Sequence, residues 1–324
     1  MTLTSPVRRP TSEDLERARR VVADHLVPTP TVTLDVAGRR VAAKLEGLQV
    51  TGSFKVRGGL AAIDAARRDD PGAAVITASA GNHGLGVAHA ATTLGVRATV
   101  VVPANASVAK VERLRRYDIE LIEHGRSYDH AQARAKELAR ERSLRYVSAF
   151  NNPHVIAGQA TVFLEMLDQC EWLDHVVVPV GGGGLISGVL LARDERGRAD
   201  VAVTGAQPER SHAMYDVLAG RAMSDVEHSE TIADGLAGGG DEDSVTNVII
   251  AEHGVELVLV PEERIRAGVR VAAATHGLVL EGSSTTALMA IADGLAGADA
   301  HGVGFIASGR NIAADLLARL VIEA

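Results

Sequence analysis

The stretch "VVVPVGGGGLISG", residues 176–188, joins an apolar run to four consecutive glycines and then to an apolar helical pattern. The run before the glycines predicts a buried strand, and the residues after them predict the start of a helix. A strand that leads directly into a helix is the unit from which parallel sheets are built. The stretch therefore predicts an α/β protein.

Other parts of the chain repeat this pattern. Four further apolar runs are separated by helical patterns, and they lie at residues 73–78, 98–103, 201–206 and 302–307. Their spacing predicts a fold of mostly parallel sheets flanked by helices. In one intervening segment the residues on a single helical face are apolar or aromatic, which predicts a surface helix, and they are Tyr128, Ala131, Ala135 and Leu138.

Length and charge limit the possible functions. The chain has 324 residues, 46% of them hydrophobic, and this is enough for one large domain or two ordinary ones with a substantial core. Its formal net charge of -8 provides no overall positive field to hold nucleic acid or an anionic membrane. A small molecule is the expected partner.

The single cysteine, Cys170, cannot form an intramolecular disulfide, and its apolar neighbours favour a buried, inert thiol over a reactive one. The N-terminal residues lack an apolar stretch of signal-peptide length, and no uncharged apolar run is long enough to span a membrane. These features predict a cytoplasmic protein.

The four glycines also have a chemical interpretation. Consecutive glycine N–H groups can turn toward one point, and a following helix N-terminus adds partial positive charge, so the loop can hold a phosphate without a basic side chain. Ile186 stands where a dinucleotide-binding G-x-G-x-x-G pattern needs glycine. The alternative is a tight strand-to-helix turn, but four glycines cost backbone entropy, which favours phosphate binding.

A second stretch, "QVTGSFKVRGG" at residues 49–59, contains one of only four lysines among the 33 basic residues of the chain. Unlike arginine, a lysine amine can lose its proton when desolvated and then act as a base or form a Schiff base. Lys55 and the glycine loop together indicate a phosphorylated aldehyde cofactor. Lys44, in the strand-like "VAAKLE", is the nearest rival.

With these motifs, the chain resembles a known family, the serine/threonine dehydratases. They belong to the fold-type-II pyridoxal-phosphate enzymes, a group that also includes serine racemase. Five motifs in order carry the resemblance: "KLEGLQVTGSFKVRGG" (44–59), "SAGNHG" (79–84), "GGGGLISG" (181–188), "TIADGL" (231–236) and "SGRN" (308–311). The resemblance implies pyridoxal 5′-phosphate as cofactor, a homodimer, and two domains that each contain a mostly parallel sheet flanked by helices.

The resemblance also implies roles for single residues. Lys55 would be the Schiff-base lysine, Phe54 would pack near the ring, Asn82 would bond the 3-oxygen, and Ser308 would face the pyridine nitrogen. The phosphate loop would consist of Gly181, Gly182, Gly183, Gly184 and Leu185. The substrate carboxylate would bind a loop made of Ser79, Ala80, Gly81 and His83.

Each of these side chains also has a structural alternative. Asn82 and Ser308 could cap the helices that follow them, Phe54 could belong to the core, and His83 could be a structural hydrogen-bond donor. The agreement of several motifs favours the functional interpretation for Lys55, Asn82 and Ser308, whereas for His83 the two alternatives are balanced.

The expected reaction is the elimination of water from a small L-3-hydroxy amino acid, such as threonine or serine, to give a 2-oxo acid and ammonia. Ala80 replaces the serine that donates a proton on the second face in serine racemases, which disfavours racemisation. Gln207 replaces a glutamate of cation-binding members, so no metal is expected. The alternatives are another substrate such as 3-hydroxyaspartate, serine racemase, or a non-catalytic ligand-binding protein.

The motifs also predict a domain division. With the lysine and glycine loops on one body and "SAGNHG" on the other, residues 1–73 and 151–324 form a large cofactor-binding domain. Residues 74–150 form a small mobile domain, and its closure would bring the carboxylate-binding loop to the cofactor.

Overall fold

The computed structural model describes residues 8–221, 229–238 and 243–322. The described residues form ten strands: β1 (Thr31–Val36), β2 (Arg39–Leu45), β3 (Ala74–Ala78), β4 (Arg97–Val102), β5 (Glu120–Glu123), β6 (Arg145–Tyr146), β7 (His175–Pro179), β8 (Ala202–Pro208), β9 (Glu256–Val260) and β10 (Val303–Ala307).

The described residues also form twelve α-helices. These are α1 (Ser12–His25), α2 (Lys55–Asp69), α3 (Asn82–Leu94), α4 (Val108–Leu114), α5 (Tyr128–Glu141), α6 (Pro153–Gln169), α7 (Gly184–Glu195), α8 (Ala213–Leu218), α9 (Val245–Glu252), α10 (Glu262–His276), α11 (Gly282–Ala292) and α12 (Ala314–Ile322).

The strands build two sheets. The larger sheet has the order β1-β2-β10-β7-β8-β9 and the smaller one the order β5-β4-β3-β6. All neighbouring strands run parallel except β1 and β2, which form an antiparallel hairpin. All five apolar runs that predicted strands lie on strands of these sheets, so the predicted α/β class is confirmed.

The hairpin between β1 and β2 is the antiparallel part of the fold. Its turn needs two successive residues with positive φ, and these are Ala37 at 53° and Gly38 at 76°. Mirror-type turns of this kind match the twist of the flanking strands. The hairpin adds an edge to the large sheet and places Lys44 one residue before the end of β2.

The surface-helix prediction is confirmed, and so is the predicted burial of the cysteine. On α5, Ala131, Ala135 and Leu138 are buried, while Tyr128 at the first position stays 39% exposed. Cys170 follows the last residue of α6 and is buried, which raises the pKa of its thiol.

The largest hydrophobic core continues from the helices of the large sheet to those of the small sheet. It includes Ile63 of α2, Val87 of α3 and Phe163 of α6. Helices α2 and α3 cross so closely that a Cβ on Gly59 would lie 2.5 Å from the carbonyl oxygen of Gly86. Glycine at this crossing therefore allows backbone to pack on backbone.

The smaller sheet is built entirely from strands between residues 74 and 146. The division into residues 1–73 with 151–324 and residues 74–150 stays a prediction. Within the described ranges, no helix has the length and apolar character needed to cross a membrane.

Candidate active site

The predicted site residues converge where strands of both sheets end. The carboxyl ends of β3, β7 and β10 lead directly to Ser79, to the glycine loop and to Ser308. In parallel α/β sheets, ligands bind at the carboxyl ends of the strands. The two sheets thus bring motifs that are far apart in the sequence to one region.

Lys55 is the first residue of α2, and the backbone before it is fixed by the "SGRN" loop. The N–H of Phe54 donates to the carbonyl oxygen of Ser308 at 3.1 Å. The amine of Lys55 lies 5.0 Å from the centre of the Phe54 ring and 3.4 Å from the carbonyl oxygen of Ala149. Desolvation lowers the pKa of Lys55 to about 8, although the charge of Glu281 opposes the shift.

Lys44, the rival lysine, is committed to other contacts. Its ammonium donates to the carbonyl oxygen of Thr29 at 2.6 Å, to Glu165 at 2.7 Å and to Gln169 at 3.1 Å. An ammonium has three N–H groups, so all of its donors are used. Lys44 is therefore a structural cation and Lys55 is the available amine.

Asn82 is held at both ends of its side-chain amide. Its Nδ2 donates to Oε1 of Glu281 at 2.8 Å, and its Oδ1 accepts from Nδ2 of Asn311 at 2.5 Å. It makes no capping bond to the start of α3. Asn82 therefore does not cap α3; its side chain points toward Glu281 and Asn311.

Glu281 is a site residue that the sequence interpretation missed, together with its partner Asn311. The backbone N–H of Asn311 donates to Oε2 of Glu281 at 2.9 Å. Burial and the charge of Asp234 raise the pKa of Glu281 to about 7. The signal that could have found this pair is its position: Glu281 opens "EGSSTT" and Asn311 ends "SGRN".

The glycine loop connects β7 to α7. Gly183 precedes the helix with φ +80°, a value that L side chains rarely adopt. A Cβ on Gly182 would lie 2.4 Å from the ring of Phe150. Within the described part of the chain, no acceptor takes the N–H groups of Gly182, Gly183 or Gly184. Leu185, next in the loop, is buried.

Ser308 is buried at the end of β10. Its hydroxyl lies 3.2 Å from the hydroxyl of Ser284, which also bonds both backbone polar groups of Gly309 at 2.8 Å. These contacts direct the Ser308 hydroxyl toward Ser284 at the start of α11. The neighbouring Ser283 hydroxyl is buried without a partner among the described residues.

The loop after β3 contains the four predicted substrate-binding residues. The hydroxyl of Ser79 accepts from the N–H of Gly81 at 3.1 Å, and Ala80 packs its methyl group against an apolar cluster. Nε2 of His83 lies 3.1 Å from the carbonyl oxygen of Val147. Burial and the Lys55 charge lower the pKa of His83 to about 3, so the ring is neutral and Nε2 is the donor. Substrate binding by this loop stays a prediction.

The chemistry of these residues fits pyridoxal phosphate. An amine with a lowered pKa can bind an aldehyde, and the free N–H groups at the start of α7 can hold a phosphate. A Cβ on Gly182 would collide with the Phe150 ring, so this position of the loop has no room for a side chain. The hydroxyl of Ser308 and the amide of Asn82 add polar groups on the same side of the fold.

Three polar residues of uncertain role have structural explanations. Oδ1 of Asn151 accepts from the N–H of Val245 at 3.1 Å, and the side chain of Asn152 caps α6. Oε1 of Gln207 accepts from the N–H of Tyr215 at 2.8 Å. Across residues 8–221, 229–238 and 243–322, no three His, Cys, Asp or Glu side chains form a group that could hold a metal ion.

Comparisons with known proteins agree with this chemistry. Residues 22–309 match the family described as "Pyridoxal-phosphate dependent enzyme". The chain is 34% identical to the L-threonine ammonia-lyase of Thermotoga maritima, over 96% of this chain and 78% of that protein.

Two solved structures are also similar. The serine racemase of Dictyostelium discoideum has a TM-score of 0.85 at 31% identity, covering 94% of this chain and 99% of the other. A pyridoxal 5′-phosphate-dependent aspartate racemase has a TM-score of 0.86 at 30% identity, covering 96% and 99%.

Proposed function

This chain belongs to the pyridoxal-phosphate dependent enzyme family, and on that premise we propose that it is a dehydratase of the threonine and serine ammonia-lyase type. It eliminates water from a small L-3-hydroxy amino acid and releases a 2-oxo acid and ammonia. The cofactor is pyridoxal 5′-phosphate.

The residues that would hold the cofactor surround Lys55. Lys55 would bind its aldehyde carbon, Phe54 would pack near its ring, Asn82 would bond its 3-oxygen and Ser308 would face its pyridine nitrogen. Its phosphate would lie on the loop of Gly181, Gly182, Gly183, Gly184 and Leu185. When bound, the cofactor supplies an electron sink for the electrons left by the departing α-proton.

Lys55 would be the base in this proposal, once the substrate's amine has taken its place on the cofactor. Because burial lowers the pKa of its amine to about 8, a useful fraction is unprotonated at neutral pH and can take the α-proton on Nζ. Ser308 offers a neutral hydroxyl where a carboxylate would stabilise positive charge on the pyridine nitrogen. Departure of the β-hydroxyl together with the α-proton leaves little charge to stabilise, so elimination suits these residues.

Ala80 is the observation that carries the choice between elimination and racemisation. Racemisation needs a proton donor on the second face of the substrate, and a methyl group packed against an apolar cluster cannot donate. The similar proteins include both ammonia-lyases and racemases, so the choice between the two reactions rests on the chain's own residues.

The reaction is tested by incubating L-serine and L-threonine separately with the holoenzyme, assaying ammonia and 2-oxo acid, and analysing the remaining amino acid by chiral chromatography. We expect elimination, with racemisation slower by about 10²- to 10⁴-fold, the usual contribution of one positioned acid. Formation of D-serine at a rate comparable to ammonia release would instead indicate a racemase.

The lysine assignment is tested by comparing Lys55→Ala with Lys44→Met. The first variant should lose the yellow absorbance of the bound cofactor and the ammonia release, because no amine remains to bind the aldehyde. The second should stay yellow and active if folded, because the Lys44 ammonium is occupied by Thr29, Glu165 and Gln169. The opposite result would exchange the two roles.

The family resemblance also supports a homodimer, and the single cysteine of the chain fits a reducing cytoplasm. Light scattering of the purified holoenzyme tests the dimer. A monomeric mass at micromolar concentration would contradict it.

A further inference from the structure

Three arginines lie together beside the site, and we call Arg113, Arg116 and Arg310 the arginine cluster. Arg113 is on α4, Arg116 follows that helix, and Arg310 belongs to the "SGRN" loop. Burial, and after it the like charges of Arg116 and Arg310, lower the pKa of Arg113.

Hydrogen bonds connect the arginine cluster to the site. The guanidinium of Arg113 donates to the carbonyl oxygen of Thr51 at 3.2 Å, and Nδ2 of Asn311 donates to the same oxygen at 2.9 Å. The same Asn311 side chain donates to Asn82. Arg113 is thus separated from Asn82 by one carbonyl group and one amide group.

Arg310 lies on the same side of the site. Its N–H donates to the carbonyl oxygen of Gly52 at 2.9 Å, next to the carbonyl that Arg113 contacts. Its Cβ would lie 3.2 Å from a Cβ placed on Gly47, so the arginine packs over a glycine. Beyond this contact the residue is exposed.

The charges of the arginine cluster are not balanced by protein carboxylates. Among the described residues, none of the three guanidiniums forms an ion pair, whereas the neighbouring Lys110 is neutralised by Asp234 at 2.6 Å. The charge of Glu281 also acts on Arg113, but burial raises the pKa of Glu281 to about 7, so it is partly protonated at neutral pH. The surface around the "SGRN" loop therefore carries unpaired positive charge.

A guanidinium pairs best with the two oxygens of a carboxylate or phosphate. The phosphate of the cofactor is assigned to the glycine loop, and the substrate's α-carboxylate to the loop after β3. Neither group explains the arginine cluster, so a second anionic group on the substrate is what the cluster would bind.

We propose that the preferred substrate is a 3-hydroxy amino acid with a second carboxylate on its side chain, such as 3-hydroxyaspartate, and that Arg113 and Arg310 bind this carboxylate. The inference rests on the proposed elimination of water. The α-C–H and β-C–O bonds break, one water leaves, and one water enters when ammonia is released, so the net products are oxaloacetate and ammonia.

The first test compares kcat/KM of the holoenzyme for 3-hydroxyaspartate, L-serine, L-threonine and O-phosphoserine. We expect 3-hydroxyaspartate to exceed serine by about 10- to 100-fold, the effect of a charge-assisted hydrogen bond or two. Equal or better use of serine would overturn the inference and leave the dehydratase assignment intact. A preference for O-phosphoserine would mean that the arginine cluster binds a phosphate ester, and it would overturn the proposed carboxylate. No ammonia from any compound would overturn the proposed function itself.

The second test uses Arg310→Met and Arg113→Gln. In each, the ratio of kcat/KM for 3-hydroxyaspartate to that for serine should fall by about 10-fold or more, because one charged donor is lost. The matched control is Arg97→Met. Arg97 is an exposed arginine at the first residue of β4, and its replacement should leave the ratio of kcat/KM values unchanged. An unchanged ratio in both cluster variants would overturn the assignment of these residues.

A binding measurement gives a readout that does not depend on turnover. 2-Methylaspartate and 2-methylserine have no α-proton to lose, and absorbance titration of the holoenzyme measures their Kd values. In the wild type, the Kd for 2-methylaspartate should be lower than that for 2-methylserine by about 10-fold or more. Arg310→Met should abolish this difference. Equal Kd values in the wild type would contradict a carboxylate-binding role for the arginine cluster.

Discussion

At the scale of single residues, burial determines which groups of the site carry protons. Lys55 and His83 are both cationic when protonated, and desolvation lowers the pKa of each, to about 8 and about 3. Burial raises the pKa of the acid Glu281 to about 7. The site therefore contains an amine and a carboxyl that both titrate near neutral pH, beside an imidazole that stays neutral.

The low pKa of His83 predicts a pH-dependent contribution to stability. Below pH 6.5, the usual pKa of histidine, the unfolded chain binds a proton that the folded chain does not bind until about pH 3. The free energy of unfolding should therefore fall as pH decreases from 6.5. For this one group, the loss between pH 7 and pH 5.5 is about 1 kcal/mol.

Urea unfolding of His83→Gln at several pH values tests this, because glutamine keeps an N–H donor for Val147 and does not titrate. The difference in unfolding free energy between wild type and variant should shrink by about 1 kcal/mol over that range. His25→Gln, which removes an exposed histidine at the end of α1, is the matched control for the loss of a histidine. Parallel profiles for His83→Gln would contradict the prediction.

At the scale of elements, α2 holds Lys55 through a buried ion-pair network two residues further along the helix. The guanidinium of Arg57 donates to both oxygens of Glu46 at 2.8 Å and to Glu165 at 2.6 and 2.7 Å. Lys44 also pairs with Glu165, so the network contains two cations and two anions. It joins α2 to β2 and α6.

Removing one anion from this network should be costly. Glu46→Ala leaves Arg57 buried with one of its two carboxylate partners, and we expect a loss of about 3 to 5 kcal/mol in the free energy of unfolding. Weaker cofactor binding should accompany it, because the first turn of α2 loses its anchor. Urea unfolding and cofactor titration measure both effects.

The control for this prediction is Glu16→Ala, which removes the partner of Arg19 and Arg20 on the surface of α1. Exposed pairs contribute about 0 to 1 kcal/mol, so this variant should unfold almost like the wild type. Equal losses in the two variants would mean that the buried network has no special role in holding α2.

At the scale of the whole molecule, several polar contacts join the small sheet and its helices to the rest, among them the pair of Arg145 on β6 with Asp69 at the end of α2. Lys110 pairs with Asp234, Arg113 bonds Thr51, and Asn82 bonds both Glu281 and Asn311. The hydrophobic core is continuous across the same boundary, through α2 and α3. We propose that residues 74–150 move as one unit by a small closure that makes and breaks the polar contacts.

Hydrogen exchange of the holoenzyme tests this closure. Binding of 2-methylserine should slow exchange in residues 79–82 and in α4 together, because both would be pressed against the large sheet. Lys110→Met should speed exchange in α4 without the ligand, since the pair with Asp234 is lost. Lys136→Met on α5 is the matched control. Protection restricted to residues 79–82 would argue against movement as a unit.

Local sequence patterns were sufficient for the fold class and for the cofactor. Each apolar run that predicted a strand is a strand, because a run buried on both faces is a local property of the chain. The lysine and glycine motifs likewise report their chemistry locally, since amine, N–H groups and helix terminus lie within a few residues of each other. The roles of Asn82 and Ser308 stay proposals, but their positions beside Lys55 agree with the motif interpretation.

Only the tertiary structure decided which distant side chains meet. The partnership of Glu281 with Asn82 spans 199 positions in sequence, and that of Arg57 with Glu165 spans 108. No local periodicity records such pairs, because they depend on how two sheets and the α2–α3 crossing pack. The same packing places Arg113 beside the "SGRN" loop, and burial in that arrangement sets the protonation of Lys55, His83 and Glu281.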